Sequence, residues 1–476
     1  MLHVQPLEEM GLHQVDHQDR YSLLSYLKSC GKQKDLHKTI NIHSQILQKK
    51  LFLKDVYVNT ALISAYSKCG ALAEAQQVFN QLPIQNVVSW TALISGYAHH
   101  GLGNEAIDRF RQMRDEGIPP NSVTFISILK ACSSIGSTLV GEEIHGEIKK
   151  LGLLKENLVL GTSLVDMYAK CGQLNKARKV FDDELPVHDV VAWNSLLTGY
   201  VRHGLGQEAL DCFRKMRDHG LCPDKVTYIC ILKACSSIRS PELGQEIDAE
   251  IRKQGLLGKD ITLDTSLVDM YAKCGMLDKA KELFDKLPKR NVVTWTALIT
   301  GYAHYELMDE ALDCFMRMRE ERVMPNSVTF ICILKACGSI GALKTGEEIH
   351  TEVSKQGLLQ RDIVIGTAMM DMYAKCGMLG KAQHVFNELP LHDVVSWNAL
   401  IAGYAQLGQV KLVFGLISKM TKEGILPDEV TFLVLLTVSS HAGLVEEGHV
   451  IFDKVCAYYA SPTLEHYACM VDILSR

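Results

Sequence analysis

No C-x-x-C pair occurs in this chain, no apolar run approaches the ~18 residues that a membrane span needs, and neither sign of charge dominates. The first absence removes the common zinc-ribbon and dithiol signatures. The second removes any candidate membrane-spanning helix. The third, 50 Lys+Arg against 55 Asp+Glu for a net charge of −5, denies the protein a global field that would advertise a nucleic-acid partner. Proline is sparse, 12 in 476 residues, and aromatics make up 7%. With 47% hydrophobic residues, that composition belongs to an ordered, helix-rich chain rather than a disordered one. Neither a Walker loop nor a nucleophile constellation is present. The expectation is therefore a protein without enzymatic activity, cofactor, metal, membrane contact or small-molecule substrate.

What the chain has instead is repetition. VVAWNSLLTGYVRHG at Val190 has close copies at Val87, Val292 and Val394, with starts 103, 102 and 102 residues apart. Each copy holds one of the four tryptophans (Trp90, Trp193, Trp295, Trp397), always followed by Thr or Asn. From Arg20 the sequence divides into units of 31 to 36 residues in a cycle of three kinds. The first kind, marked ILKAC and then GEEIH or GQEID, covers Arg20 to Asp55, Ser122 to Asn157, Lys225 to Asp260 and Ser327 to Asp362. The second, marked MYAKCG, covers Val56 to Asn86, Leu158 to Asp189, Ile261 to Asn291 and Ile363 to Asp393. The third covers Val87 to Asn121, Val190 to Asp224, Val292 to Asn326 and Val394 to Asp428, which makes twelve complete units over 20–428.

Each unit reads as two antiparallel helices. In Val190 to Asp224, Trp193, Leu196, Leu197, Tyr200 and Val201 follow amphipathic helical spacing, Gly204 and Gly206 interrupt it, and Ala209, Phe213 and Met216 mark a second helix that Gly220 and Pro223 stop. A single hairpin cannot bury both faces, so the units are expected to stack into an all-α solenoid; periodicity leaves its hand open. Residues 1–19 are expected to lack clear structure. They contain acidic residues and no Arg, unlike a transit peptide, so a targeting address was either removed or never part of this sequence. Residues 429–463 read as a variant first-kind unit and 464–476 as the start of a second-kind unit, a pattern expected of a truncated chain.

Seven of the 15 cysteines recur at two fixed places: Cys69, Cys171, Cys274 and Cys376 in KCG, and Cys132, Cys235 and Cys337 in KAC. Single cysteines at helical positions are expected to be small buried residues in a reducing compartment. His145-Gly-Glu147 and His350-Thr-Glu352 match the H-x-E half of a zinc deaminase site, but no P-C-x-x-C accompanies them and Asp248 stands in the copy between, so a structural role is expected.

Units of 35, 36 and 31 residues carrying VVSWNALIAGY, EEIH and MYAKCG resemble plant pentatricopeptide repeat proteins of the PLS subclass, with the three kinds as L, S and P units. PTLEHYACMVDIL near the end resembles the modified last repeats that lead into an extension and often a deaminase domain. The resemblance implies single-stranded RNA binding in a mitochondrion or chloroplast, one base per repeat, read by the fifth and the last residue of each unit. It further implies the targeting part of an RNA-processing or C-to-U editing factor that recruits a deaminase or editing factor in trans. Thr, Asn and Asp have donors and acceptors suited to a splayed-out base edge. Thr60 with Asn86, Thr91 with Asn121, Thr265 with Asn291 and Thr296 with Asn326 imply A. Thr162 with Asp189 and Thr367 with Asp393 imply G. Asn194 with Asp224 and Asn398 with Asp428 imply U over C. First-kind units carry apolar Leu24, Ile126, Ile229 and Ile331 at the fifth position and are left unread, giving N-A-A-N-G-U-N-A-A-N-G-U. Val88, Val191, Val293 and Val395 are expected to wedge between bases.

The lysines of KCG (Lys68, Lys170, Lys273, Lys375) lie eight residues beyond the reading positions, on the same helical face, where they could meet phosphates or satisfy a helix C-terminus. The alternative function is a protein-interaction scaffold of tetratricopeptide type. It is favoured by the net charge and disfavoured by the repeated small polar pair, which a peptide groove does not require.

Overall fold

A computed structural model describes residues 12–48, 55–155, 157–458 and 462–475. Every regular element among the described residues is helical. The chain divides into two compact units, Met1–Ile238 and Arg239–Arg476, and the division falls between the helices Lys225–Ile238 and Pro241–Lys253. Within each unit the helices form hairpins whose first helices pack side by side, so each is an all-α repeat solenoid.

The hairpin from Val190 shows how the sequence produces this. Asp189, extended at φ −86° and ψ 173°, accepts the backbone N–H of Ala192 at 2.8 Å and so caps the helix Val190–Arg202. Gly204, at φ 74°, turns the chain in the left-handed region, and the second helix runs Gly206–Asp218. Gly206 is therefore not a second interruption, as its spacing suggested. It is the buried first residue of the second helix, where a Cβ would lie 2.5 Å from Ser237 Oγ and 2.6 Å from Ile238 Cγ2.

Core packing is copied from repeat to repeat. The four tryptophans are fully buried, each meeting a phenylalanine of the preceding hairpin edge-on: Phe79–Trp90 and Phe284–Trp295 at 4.5 Å, Phe181–Trp193 and Phe386–Trp397 at 4.7 Å between centroids. Such pairs contribute about 0.5–1.5 kcal/mol beyond the area they bury. The EEIH and MYAKCG marks are two sides of another contact. His43, His145 and His350 bond through Nδ1 to the hydroxyls of Tyr66, Tyr168 and Tyr373 at 2.9–3.0 Å, and Tyr271 donates to Asp248 Oδ2 at 2.7 Å in the copy without histidine. His145 also meets Glu184 at 2.9 Å through Nε2, so both its ring nitrogens have protein partners.

All fifteen cysteines are free thiols. The KAC cysteines are fully buried, and burial pushes Cys132 and Cys337 up to about 12, while the KCG cysteines are only half-buried beside the helix ends. The expectation for residues 1–19 needs correction: residues 1–11 lie outside the described residues, but the first helix, Leu12–Gln33, already includes 12–19. Nothing between Leu12 and Arg20 is Gly or Pro, so the helix extends N-terminally past the repeat pattern.

The unit Leu158 to Asp189 holds 32 residues where the other three second-kind units hold 31. The extra residue is absorbed in its second helix, which passes from α-helix at Leu174–Lys179 into a π-helical turn at Val180–Glu184. That turn brings Glu184 to both His145 and Lys149; Glu388, the corresponding residue without the insertion, stays 3.9 Å from His350.

The glycine of each TGY or AGY segment stands where the neighbouring first helix leaves no room for a Cβ. A Cβ at Gly199 would stand 2.6 Å from Ala169 Cβ and 3.2 Å from its Cα, and Gly301 and Gly403 face Ala272 and Ala374 in the same way at 2.7 Å. The listener on the other side of the contact is a short alanine with no room to withdraw. Gly199→Ala is expected to lower stability by about 1–3 kcal/mol through overpacking, although alanine is the better helix former. Thermal or urea melts that show an unchanged or raised midpoint would reject this tight contact.

Candidate nucleic-acid interface

From the second unit on, the fifth position lies in the second turn of its first helix, and the closing residue is the N-cap of the next first helix. Capping fixes the closing side chain. Asn86 accepts from the N–H groups of Val88 and Ser89 at 3.0 Å, Asn121, Asn291 and Asn326 from Thr124, Thr294 and Thr329 at 2.9 Å, and Asp393 from Ser396 at 2.8 Å. Of these, Asn86 and Asn121 line an open groove of about 1290 Å³ in the first compact unit. This groove brings together Thr60, Asn86, Thr91, Asn121 and Val88 with Lys28, Lys34, Lys68 and His99.

Fifth and closing residues meet through a residue that the sequence reading did not single out, the third residue of the following unit. Asn194 Nδ2 donates to Asp224 Oδ1 at 2.9 Å; the Thr227 hydroxyl lies 2.7 Å from Asn194 Oδ1 and 2.9 Å from Asp224 Oδ1, sharing its proton between them. Asn398, Asp428 and Thr431 repeat this at 2.8, 2.6 and 2.8 Å. Thr91, Thr265 and Thr296 each contact the hydroxyls of Thr124, Thr294 and Thr329 at 2.7 Å, and those hydroxyls reach Asn121, Asn291 and Asn326 at 2.9–3.0 Å. Three pairs are not joined in this way. Ser89 and Ser396 turn their hydroxyls to the carbonyls of Asn86 and Asp393, leaving Thr60 Oγ1 buried without a partner and Thr367 with only the bond to its own helix at Ile363 that Thr91 and Thr296 also make at Val87 and Val292. Between Thr162 and Asp189 the third residue is Ala192, which has no hydroxyl. The recurrent Thr of SVTF, KVTY and EVTF was the available signal.

Val88, Val191, Val293 and Val395 are 54–60% exposed, unusual for valine in a packed helical array. The second residues of other units share this: Tyr57, Val123, Val159, Val328 and Val364 are all more than half exposed. The apolar row is thus not confined to third-kind units, where the family resemblance placed it.

The KCG lysines divide. Lys170, Lys273 and Lys375 bind Asp166, Asp269 and Asp371 one turn earlier at 2.7–2.8 Å, whereas Lys68 has Ser64 at that place. A second lysine row stands at the ninth residue of first-kind units: Lys28, Lys130, Lys233 and Lys335 are exposed, and none forms an ion pair among the described residues. Lys130 approaches His99 at 3.1 Å, and its charge, with partial burial, His100 and Lys34, holds His99 below its ordinary value. The groove is thus locally basic within an acidic chain.

Comparison with known proteins decides the family. A mitochondrial pentatricopeptide repeat-containing protein of Arabidopsis thaliana is 35% identical over 460 residues, covering 96% of this chain and 81% of the relative. The chain belongs to the pentatricopeptide repeat family. The PPR repeat family profile matches residues 85–134, 188–237, 290–339 and 392–440, and the PPR repeat profile matches 60–86, 162–183, 265–292 and 367–394. Another Arabidopsis thaliana pentatricopeptide repeat-containing protein is 36% identical over 460 residues, covering 96% of this chain but 54% of its own length. The chain spans 54%, 45% and 65% of the first three curated relatives it matches. Relatives within the family are named both mitochondrial and chloroplastic. The crystal structure of the pentatricopeptide repeat protein PPR10 from maize shares the family fold, with a TM-score of 0.62 at 20% identity over 95% of this chain and 71% of that one. PPR10 in complex with an 18-nt psaJ RNA element gives 0.69 at 18% identity, covering 88% and 62%.

The two Asn–Asp pairs also carry a pH signature. Burial alone would raise the carboxyls of Asp224 and Asp428, but hydrogen bonds from the Thr227 and Thr431 backbones, the Asn194 and Asn398 amides and the threonine hydroxyls outweigh it and hold both below the ordinary value. Groups depressed in the fold add stability above their unfolded value of ~3.9 that is lost as pH falls through the lower folded value. The melting temperature of the wild type should therefore drop more steeply below ~pH 4 than that of a D224N/D428N variant. Parallel profiles would show that these carboxylates are not held by their pairs.

Proposed function

We propose that this chain binds single-stranded RNA in a sequence-specific manner, reading one base at each second-kind and third-kind unit. The observation that carries the reading is the hydrogen-bonded meeting of fifth and closing residues along a groove whose second positions are exposed and apolar. An exposed valine can cover a base face without choosing its edge, and the paired Thr, Asn and Asp groups offer that edge donors and acceptors. The buried, unpartnered Thr60 hydroxyl supports a polar ligand at this wall, because a buried polar atom without a partner costs free energy that a base edge would recover. The complex of PPR10 with RNA supports the class of ligand.

On this reading the three kinds are the L, S and P units of the PLS subclass, and the preferred site is N-A-A-N-G-U-N-A-A-N-G-U. The chain then acts as the targeting part of an organellar RNA-processing or C-to-U editing factor, in a mitochondrion or chloroplast, with a deaminase or editing factor supplied in trans. In a fluorescence anisotropy titration at moderate salt, the chain should prefer this dodecamer over a scrambled RNA by at least tenfold, since each mismatch typically costs ~1–3 kcal/mol. Equal affinity would reject the site, and failure to bind either RNA would favour the protein-scaffold alternative. Asn194→Thr, with Asp224 retained, should move preference at the sixth base from U toward G.

Phosphate contacts follow from the charges that remain free. Lys68 is the best placed of the KCG lysines, since Lys170, Lys273 and Lys375 would have to leave their aspartates. The unpaired lysines of the first-kind units supply positive charge where the fifth residue is apolar and no base is read. Each phosphate contact to a single strand steepens the salt dependence of log affinity by about 0.7. K28Q/K130Q/K233Q/K335Q should weaken binding alike for matched and mismatched RNA and flatten the salt slope by up to about 2.8. A wild-type slope in this variant would remove these lysines from the interface.

A further inference from the structure

We infer that the third residue of the following unit is a specificity-determining residue for each reading pair, because it decides whether the fifth-position group is held in one orientation or left to turn. The inference rests on the RNA-reading function proposed above and assigns a third side chain to each reading position.

The structure shows three states of this residue. Threonine joins the pair, as Thr227 does between Asn194 and Asp224 and Thr431 between Asn398 and Asp428. Serine does not join it: Ser89 and Ser396 donate to the backbone carbonyl of the capping residue at 2.9 Å. Alanine, as Ala192, offers nothing. The fifth-position groups differ accordingly. Thr265 and Thr296 have a hydroxyl neighbour at 2.7 Å, Thr296 in addition to its own helix at Val292, while Thr60 has no partner and Thr367 has its own helix alone.

For an asparagine the consequence is chemical. Asn194 spends one N–H on Asp224 and one oxygen lone pair on Thr227, so one donor and one acceptor remain, in a fixed order. Uracil presents N3–H beside a carbonyl oxygen; cytosine presents a bare N3 beside an amino group. An amide that turns over exchanges its donor and acceptor and serves both bases. One locked on both sides serves only one order. Asp224 alone grips a single end of the amide, and Thr227 completes the lock.

The test uses the full chain and synthetic dodecamers carrying U or C at the sixth position, with affinities from anisotropy. Thr227→Val keeps the branched shape and removes the hydroxyl. It should narrow the preference for U over C by about fivefold, the worth of one neutral hydrogen bond, while leaving selectivity at the fifth base unchanged. Thr227→Ser should narrow it similarly, its hydroxyl turning to the Asp224 carbonyl as Ser89 and Ser396 do at their caps. In the opposite direction, Ala192→Thr should sharpen the preference for G over A at the fifth base, since Thr294 already fits the equivalent place fully buried. Circular dichroism melts identify any variant that fails to fold, and the remaining variants then carry the test. A folded Thr227→Val or Thr227→Ser protein with the wild-type ratio, or a folded Ala192→Thr protein without a gain, overturns the inference. A wild-type chain that does not separate U from C at the sixth base overturns the underlying reading instead.

Discussion

One side-chain oxygen at each junction between units carries two obligations. An Asn or Asp closes one hairpin and accepts the first free N–H groups of the next helix, and substitution of such a cap by alanine typically costs about 1 kcal/mol. At Asn86 and Asn121 that same residue also lines the groove beside the fifth-position side chain. The cap sets where the next first helix starts and hence where its second, third and fifth residues fall. Thr124, Thr227, Thr294, Thr329 and Thr431 are third residues of capped helices and reach back to the pair only because the cap holds them there.

This double duty narrows the residues available at the closing position. Asn and Asp have the short acceptor that a cap needs and still differ at the second atom of the side-chain head, amide nitrogen or carboxylate oxygen. A change from one to the other alters the groove while sparing the helix. First-kind units show the cap without the pair: Asp55, Asp260 and Asp362 still cap, but the fifth residue is apolar and the third residues of the following units, Val58, Leu263 and Ile365, are buried in the core.

Much of the fold was legible in the sequence because its causes are local and repeated. Apolar spacing, glycine turns and closing Asn or Asp residues recur often enough that chance cannot supply them. The recurring His–Tyr contact was visible as two separate marks, EEIH and MYAKCG, but their meeting is tertiary and could not be read from either. The role of the third-position threonines was hidden for a similar reason. Thr and Ser at a helix start look alike in sequence, and only packing determines that Thr227 bridges while Ser89 turns to the backbone. The neutralisation of Lys170, Lys273 and Lys375 could have been read, since Asp166, Asp269 and Asp371 stand one turn earlier on the same face. Gly206 was misread because a buried helical glycine and a turn glycine look the same until the neighbouring helix is seen.

The π-helical turn at Val180–Glu184 shows where this architecture tolerates a change of length. One added residue is taken up in the second helix, and the flanking first helices, Leu158–Lys170 and Val190–Arg202, keep thirteen residues each. Insertions in the outer half of a hairpin thus leave the register of the inner half undisturbed, while an insertion between cap and fifth residue would put a different side chain against the closing residue. In this hairpin repeat length has changed on one side and held on the other, so the array has taken up a residue without shifting which side chain stands against each closing residue.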